Sequence, residues 1–206
     1  MESALRTAAG APDLRLIETL GWDGEAFTRL DLHLARLARS AEGLGWCCGN
    51  AAAALRAVAP TTAARVRLTM NRHSTFDVTL APMPPASAVW RLGLAPQTLQ
   101  SDDPWLTFKS TNRAGYDAAR AALAVGLDEA IFQNEKGQVC DGTITTLFFD
   151  RGDGMRTPPL HCGLLPGVLR AELDLPEEVL MADDLPNVQL WVGNSLRGLI
   201  PAVWGA

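Results

Sequence analysis

Lysine is almost missing from this chain of 206 residues: of 18 basic side chains only Lys109 and Lys136 are lysines, and arginine supplies the rest. Tyrosine is scarcer still, with Tyr116 alone. No apolar run approaches the length needed to span a bilayer, and Met1 is followed by Glu2-Ser3-Ala4-Leu5-Arg6 rather than the apolar core of a secretory leader. A cytoplasmic location is therefore expected, with no membrane partner. A basic surplus is also lacking. The net charge of −5 and scattered arginines exclude the basic stripe that neutralises phosphates along a nucleic acid. Cysteine is sparse, at positions 47, 48, 140 and 162, with no C-x-x-C spacing, so neither a metal site nor a disulfide framework is expected. Buried free thiols are the expectation.

What is present is an ordinary globular composition, 48% hydrophobic and 20% charged, enough for one large domain or two small ones. Leu14 to Trp22 reads as a strand ending at Asp23-Gly24, and Asp31 as the N-cap of a helix carrying Leu34, Leu37, Ala38, Ala41 and Leu44. Asn50 caps a second, alanine-rich helix before Pro60. The period then falls to two in Arg65–Met70 and Phe76–Leu80, a hairpin about Asn71-Arg72-His73-Ser74. Trp90 to Leu94 makes another strand. The polar stretch from Gln97 to Pro104 divides the chain into a smaller N-terminal lobe, 1–97, and a C-terminal lobe, 98–206. A helix is expected from about Asn112 to Ala124, then strands at Glu129–Phe132, Thr143–Phe149, Val188–Val192 and towards Val203, with a short helix after Gly167. The fold class is mixed α+β and α/β, two lobes with mixed sheets, without the regular βαβ alternation of a dinucleotide-binding fold.

Chemistry is concentrated at a few positions. Lys136 lies in the turn Asn134-Glu135-Lys136-Gly137, whereas Lys109 stands between Trp105-Leu106-Thr107-Phe108 and the Ser110-Thr111-Asn112 cluster that opens a helix. Apolar walls and the positive end of a helix dipole both disfavour an ammonium. A neutral amine condenses with a carbonyl, and a charged one does not. The ordinary alternative is a surface lysine with a partly buried stem. His33 and Arg36 share a helix face at i and i+3, either turned into one cavity or solvated. The turn at Leu165-Pro166-Gly167 leaves the first amides of the next helix open to an anion, or is simple turn punctuation. Asp141 precedes Gly142 and caps a turn or serves a ligand. Arg67 alternates with Arg65 on one strand, facing inward or outward.

Five stretches taken together resemble the class IV aminotransferases, pyridoxal-phosphate enzymes that include branched-chain and D-amino acid aminotransferases and aminodeoxychorismate lyase. They are Leu30–Leu37, Phe108–Arg113, Asp128-Glu129-Ala130 through Asp141-Gly142 to Leu147-Phe148, Thr157 through Leu165–Arg170, and Gly193–Gly198, in the family's order from Leu16 to Ala202. The resemblance implies the two-lobed fold of type IV pyridoxal-phosphate enzymes, with pyridoxal 5'-phosphate (PLP) carried on Lys109. It implies that Arg36, Gly167, Val168, Leu169, Asn194 and Ser195 hold the cofactor phosphate, and that Asp141 meets the pyridine nitrogen. Arg67, Arg113 and Arg197 are the candidates for an anionic small-molecule substrate, and a homodimer is implied. Two positions depart from the family pattern. Asp141 replaces the usual glutamate on a stem about 1.5 Å shorter, and Thr146 stands where asparagine is common. The N-R-A-x-Y and N-S-L-R-G wording is most similar to lyase-like members, which implies conversion of 4-amino-4-deoxychorismate to 4-aminobenzoate and pyruvate in folate synthesis. The alternatives are an aminotransferase acting on branched-chain or D-amino acids, and a weakened relative that binds a phosphate-bearing ligand without turnover.

Overall fold

A computed structural model describes residues 9–205. They fall into two compact units, one running to Pro85 and including Phe108–Asn112, the other formed by Ala86–Thr107 and the chain from Arg113 onward. Two segments thus group differently from a division at 97/98. The strand after Trp90 belongs with the second unit, and the segment carrying Lys109 belongs with the first.

The first unit is built on an antiparallel sheet of β1 (Leu16–Trp22), β2 (Ala64–Met70) and β3 (Phe76–Ala81), in that order. Alternation decides its faces. Leu16, Glu18 and Leu20 stand opposite Met70, Leu68 and Val66, and all six are buried. Helix α1 (Leu30–Leu44) packs on β1 and buries His33, Arg36, Leu37, Ser40, Ala41 and Leu44, one stripe at helical spacing. Asp31 is not its cap. Arg29, in the left-handed region at φ 57°, holds that position, and Asp31 lies in the first turn. Gly45 closes the helix at φ 69°, where a side chain is disfavoured. Asn50 does cap α2 (Ala51–Arg56), its Oδ1 accepting the Ala53 N–H at 2.9 Å. Lys109 and its neighbours extend this sheet: the Lys109 carbonyl accepts the Ile17 N–H at 2.8 Å, and the Arg15 carbonyl accepts that of Thr111 at 2.9 Å.

The second unit holds a seven-stranded mixed sheet. Its strands are β4 (Trp90–Leu99), β5 (Glu129–Asn134), β6 (Val139–Gly142), β7 (Thr146–Asp150), β8 (Met155–Arg156), β9 (Gln189–Asn194) and β10 (Gly198–Trp204), in the order β6-β5-β4-β10-β9-β7-β8. β4 is parallel to β5 and β10, and the remaining pairs are antiparallel. Gln97 to Leu99, expected as irregular linker, continues β4 and pairs with β5 through Thr98 and Gln133. Ile131, Val139, Leu147, Phe149 and Val192 build a core on one side of this sheet, while Ala130, Phe132, Cys140, Cys162 and Leu164 build a second cluster. Helix α3 is Ala114–Ala121, shorter at both ends than its sequence suggests, and α4 is Val168–Leu173.

The expected strand Thr143–Phe149 is interrupted at its start, and a single buried carboxylate explains why. Glu129 Oε1 accepts the Thr143 N–H at 3.0 Å, and Oε2 accepts the Ile144 N–H at 3.2 Å and the Thr145 hydroxyl at 2.9 Å. The Thr143 hydroxyl also donates to Oε1. The Ile144 N–H and both threonine hydroxyls are thus turned onto one side chain, which shares the Thr143 N–H with the Ala130 carbonyl, and a bend forms between β6 and β7.

Candidate active site

In the first unit the chemistry gathers around Glu18, which is 3% exposed. Arg36 donates to it through Nε at 2.9 Å and Nη2 at 2.6 Å, a fork on one carboxylate. His33 Nδ1 lies 2.6 Å from Glu18 Oε2. Burial pushes the Glu18 carboxyl up, but the Arg36 charge and hydrogen bonds from His33 and Arg36 outweigh it and hold it below the ordinary range. Burial likewise pushes His33 down, only partly offset by Glu18, with the charges of Arg36 and Lys109 adding to the effect. His33 is accordingly neutral near pH 7. Glu18 was not among the residues singled out from sequence, although a signal existed: it lies two residues from both Leu16 and Leu20, on the apolar side of its strand.

Lys109 is half-buried, and its backbone stands opposite Ile17 in the register set by the Leu16 to Ser110 bridge. Ser110 is 2% exposed, and the Lys109 charge acts on His33 of the same unit. Arg67 of β2, paired with Thr19, is half-buried. Lys136, by contrast, is an exposed turn residue whose Nζ meets Ser101 Oγ at 3.2 Å.

In the second unit Asp141 is on β6 and 5% exposed. Its Oδ1 accepts the Tyr116 hydroxyl at 3.1 Å and its Oδ2 accepts the Leu165 N–H at 3.2 Å. From Leu165 the chain passes to Gly167, the N-cap of α4, which has extended torsions and no side-chain cap. Val168 and Leu169 are buried, and their amides donate to no group among the described residues. Two buried N–H groups aimed out of a helix start are the donors an anion needs. Close packing fixes the turn. A Cβ on Gly167 would stand 2.6 Å from Thr146 Oγ1, and one on Gly193 would meet the Gly198 carbonyl and Leu169 Cδ2, each at 2.6 Å.

Asn194 ends β9, and Ser195 opens the turn to β10. The Asn194 side chain is committed to that turn: Oδ1 accepts the N–H groups of Leu196 and Arg197, and Nδ2 donates to the Ile144 carbonyl at 3.2 Å. Its part is to set Ser195, which is 7% exposed. Arg113 is similarly engaged, with Nε on Asp117 at 2.8 Å and Nη2 on the Thr143 carbonyl at 2.9 Å. Arg197 lies over the Trp90 ring, 5.2 Å from its centroid. His161 is exposed in the short 3-10 turn Leu160–Cys162, and His73 is a hairpin-tip residue. No helix among the described residues is long and apolar enough to cross a membrane.

The fold and these residues define a class. Residues 15–203 match the family described as amino-transferase class IV, nearly the whole chain, and the protein belongs to that family of enzymes. A Schizosaccharomyces pombe protein provisionally named an aminodeoxychorismate lyase is 32% identical over 91% of this chain and 88% of its own length. A solved structure from Mesorhizobium loti, provisionally titled an amino-acid aminotransferase, is 44% identical, with a TM-score of 0.86 over 94% of this chain and 100% of that one. A Legionella pneumophila structure provisionally titled 4-amino-4-deoxychorismate lyase shares the fold at 21% identity, with a TM-score of 0.82 over 92% of this chain and 82% of that one.

Proposed function

We propose that this enzyme uses pyridoxal 5'-phosphate to convert 4-amino-4-deoxychorismate to 4-aminobenzoate and pyruvate. The residues of each unit fit that cofactor. The first unit supplies an amine and a guanidinium fixed by a carboxylate. The second supplies a buried carboxylate and two buried amides without acceptors, and these amides are the observation that carries the reading. Of the first unit, Lys109 would take the cofactor aldehyde and Arg36 its phosphate; of the second, the amides of Val168 and Leu169 with Ser195 would take the phosphate and Asp141 the ring nitrogen. When bound, PLP supplies a sink for the electrons left at the substrate carbon.

The protein's own groups do the positioning and the proton transfer. Arg36 keeps its orientation because Glu18 occupies two of its nitrogens. The Lys109 amine takes the proton from the ring carbon that bears the substrate nitrogen. The C–O bond to the enolpyruvyl group then breaks, the ring becomes aromatic, and protonation of the enol methylene carbon gives pyruvate. Arg67, half-buried on β2, is the first candidate for a substrate carboxylate, with Arg113 and Arg197 as the others. A cytoplasmic homodimer belongs to the same reading.

The choice of lyase rests on the 32% identical relative. The 44% identical structure supports a second reading, transamination of an amino acid. Incubation with aminodeoxychorismate, and separately with amino acids plus 2-oxoglutarate, distinguishes them. An aromatic amine and pyruvate in equal amounts support the lyase, and a new oxo acid from the second mixture alone replaces it with the transaminase.

A further inference from the structure

Asp141 raises a mechanical question, because an aspartate reaches less far than a glutamate and its usefulness depends on where its oxygens point. The second unit answers it with two donors, one for each oxygen. Tyr116, on α3, donates its hydroxyl to Oδ1 at 3.1 Å, and the Leu165 N–H donates to Oδ2 at 3.2 Å. With both oxygens engaged, rotation of the carboxylate about its last torsion breaks a hydrogen bond in either direction.

Tyr116 is itself held. Its ring is tilted against Phe132 with centroids 4.8 Å apart, and the Arg113 guanidinium lies 5.6 Å from its centroid. Arg113 in turn is fixed by Asp117 and by the Thr143 carbonyl. The charged or titratable neighbours of the phenol are Asp141, Cys140 and Arg113. Burial, then the charge and hydrogen bond of Asp141, push its ionisation far above the ordinary range, so it remains a donor throughout the working pH range.

We propose that Tyr116 is a positioning residue for the cofactor ring: with the Leu165 amide it locks the Asp141 carboxylate in the one orientation from which an aspartate serves the protonated pyridine nitrogen. The proposal rests on the PLP reading above and adds a residue to it. Its role is exerted through Asp141.

The test uses the full chain and needs no turnover. Tyr116→Phe keeps the ring that packs on Phe132, and Asp141→Asn keeps the shape of the carboxylate. Thermal denaturation of each variant verifies that the fold is retained, and PLP affinity is read by titration. Tyr116→Phe is expected to weaken PLP binding about tenfold, the scale of one hydrogen bond to a charged group. Asp141→Asn is expected to weaken it more, and the double variant no further than Asp141→Asn alone. Unchanged affinity in Tyr116→Phe, or losses that simply add in the double variant, would overturn the proposal. Wild-type protein that binds no PLP refutes the functional reading, whereas wild-type binding with an indifferent Tyr116→Phe refutes only this inference.

Discussion

Glu18 and Arg36 form a buried two-point ion pair, Nε to Oε1 at 2.9 Å and Nη2 to Oε2 at 2.6 Å, joining β1 at its Glu18–Leu68 pair to the middle of α1. Removing one partner strands the other charge in a site that excludes water. Glu18→Gln is expected to cost about 3–5 kcal/mol of unfolding free energy. Urea denaturation measures it, and a loss below about 1 kcal/mol would mean that Arg36 finds solvent or another partner.

Acid should weaken the first unit in two stages. Folding lowers the affinity of His33 for a proton below its ordinary value of 6.5, so the unfolded chain binds more protons as pH falls past 6.5 and stability begins to drop there. Glu18 is also depressed, from 4.5; its contribution is complete above that value and is lost as pH falls through its lower folded value. Stability measured between pH 8 and pH 3 should therefore decline in an early and a late step. His33→Asn should remove the early step selectively. A profile unchanged in that variant would assign the early step elsewhere.

Glu129 holds the bend at 143–145 through four donors, two of them amides. Glu129→Gln replaces an acceptor oxygen with a donor and strips the Ile144 N–H and the threonine hydroxyls of an acceptor, at about 1–3 kcal/mol for each group left unsatisfied, while the Thr143 N–H keeps the Ala130 carbonyl. Hydrogen exchange should show the Ile144 amide losing protection while those of the first unit keep theirs. Equal exchange in variant and wild type would show the bend to be set by strand pairing instead.

Gly167 is constrained by space rather than by torsion, since its φ of −65° and ψ of 146° suit any residue. Gly167→Ala pushes a methyl against the Thr146 hydroxyl and should destabilise by about 1–3 kcal/mol, as overpacking does. Adding Thr146→Ala should recover most of that loss. Independent, additive effects in the double variant would contradict the contact.

Much of this was legible in the chain itself. The hairpin Ala64 to Ala81, the Asn50 cap and the short helix after Gly167 follow from local periodicity and turn chemistry, which act over a few residues. The positions of the candidate site were legible as motifs: Lys109, Arg36, Asp141, Gly167 and Ser195 stand in recognisable surroundings. Their engagements were not. That Arg36 is occupied by a glutamate 18 residues earlier, or that Asp141 meets Tyr116 25 residues earlier, depends on contacts between elements distant in sequence. The interruption of Thr143–Phe149 is hidden for the same reason, because β-branched residues favour a strand until Glu129 engages their donors. The segment 108–112 was assigned to the C-terminal lobe by its place in the sequence, but its hydrogen bonds to Arg15 and Ile17 attach it to β1.

The central claim is that the Lys109 amine carries the cofactor, and scarcity of lysine makes it unusually easy to test. Purified protein would be mixed with PLP, treated with borohydride to fix any amine–aldehyde linkage, digested, and mapped by mass spectrometry. The expected result is one pyridoxyl phosphate group per chain on the peptide containing Lys109, abolished by Lys109→Ala. Labelling confined to Lys136 or the terminal amine, or no label on Lys109, would contradict the account.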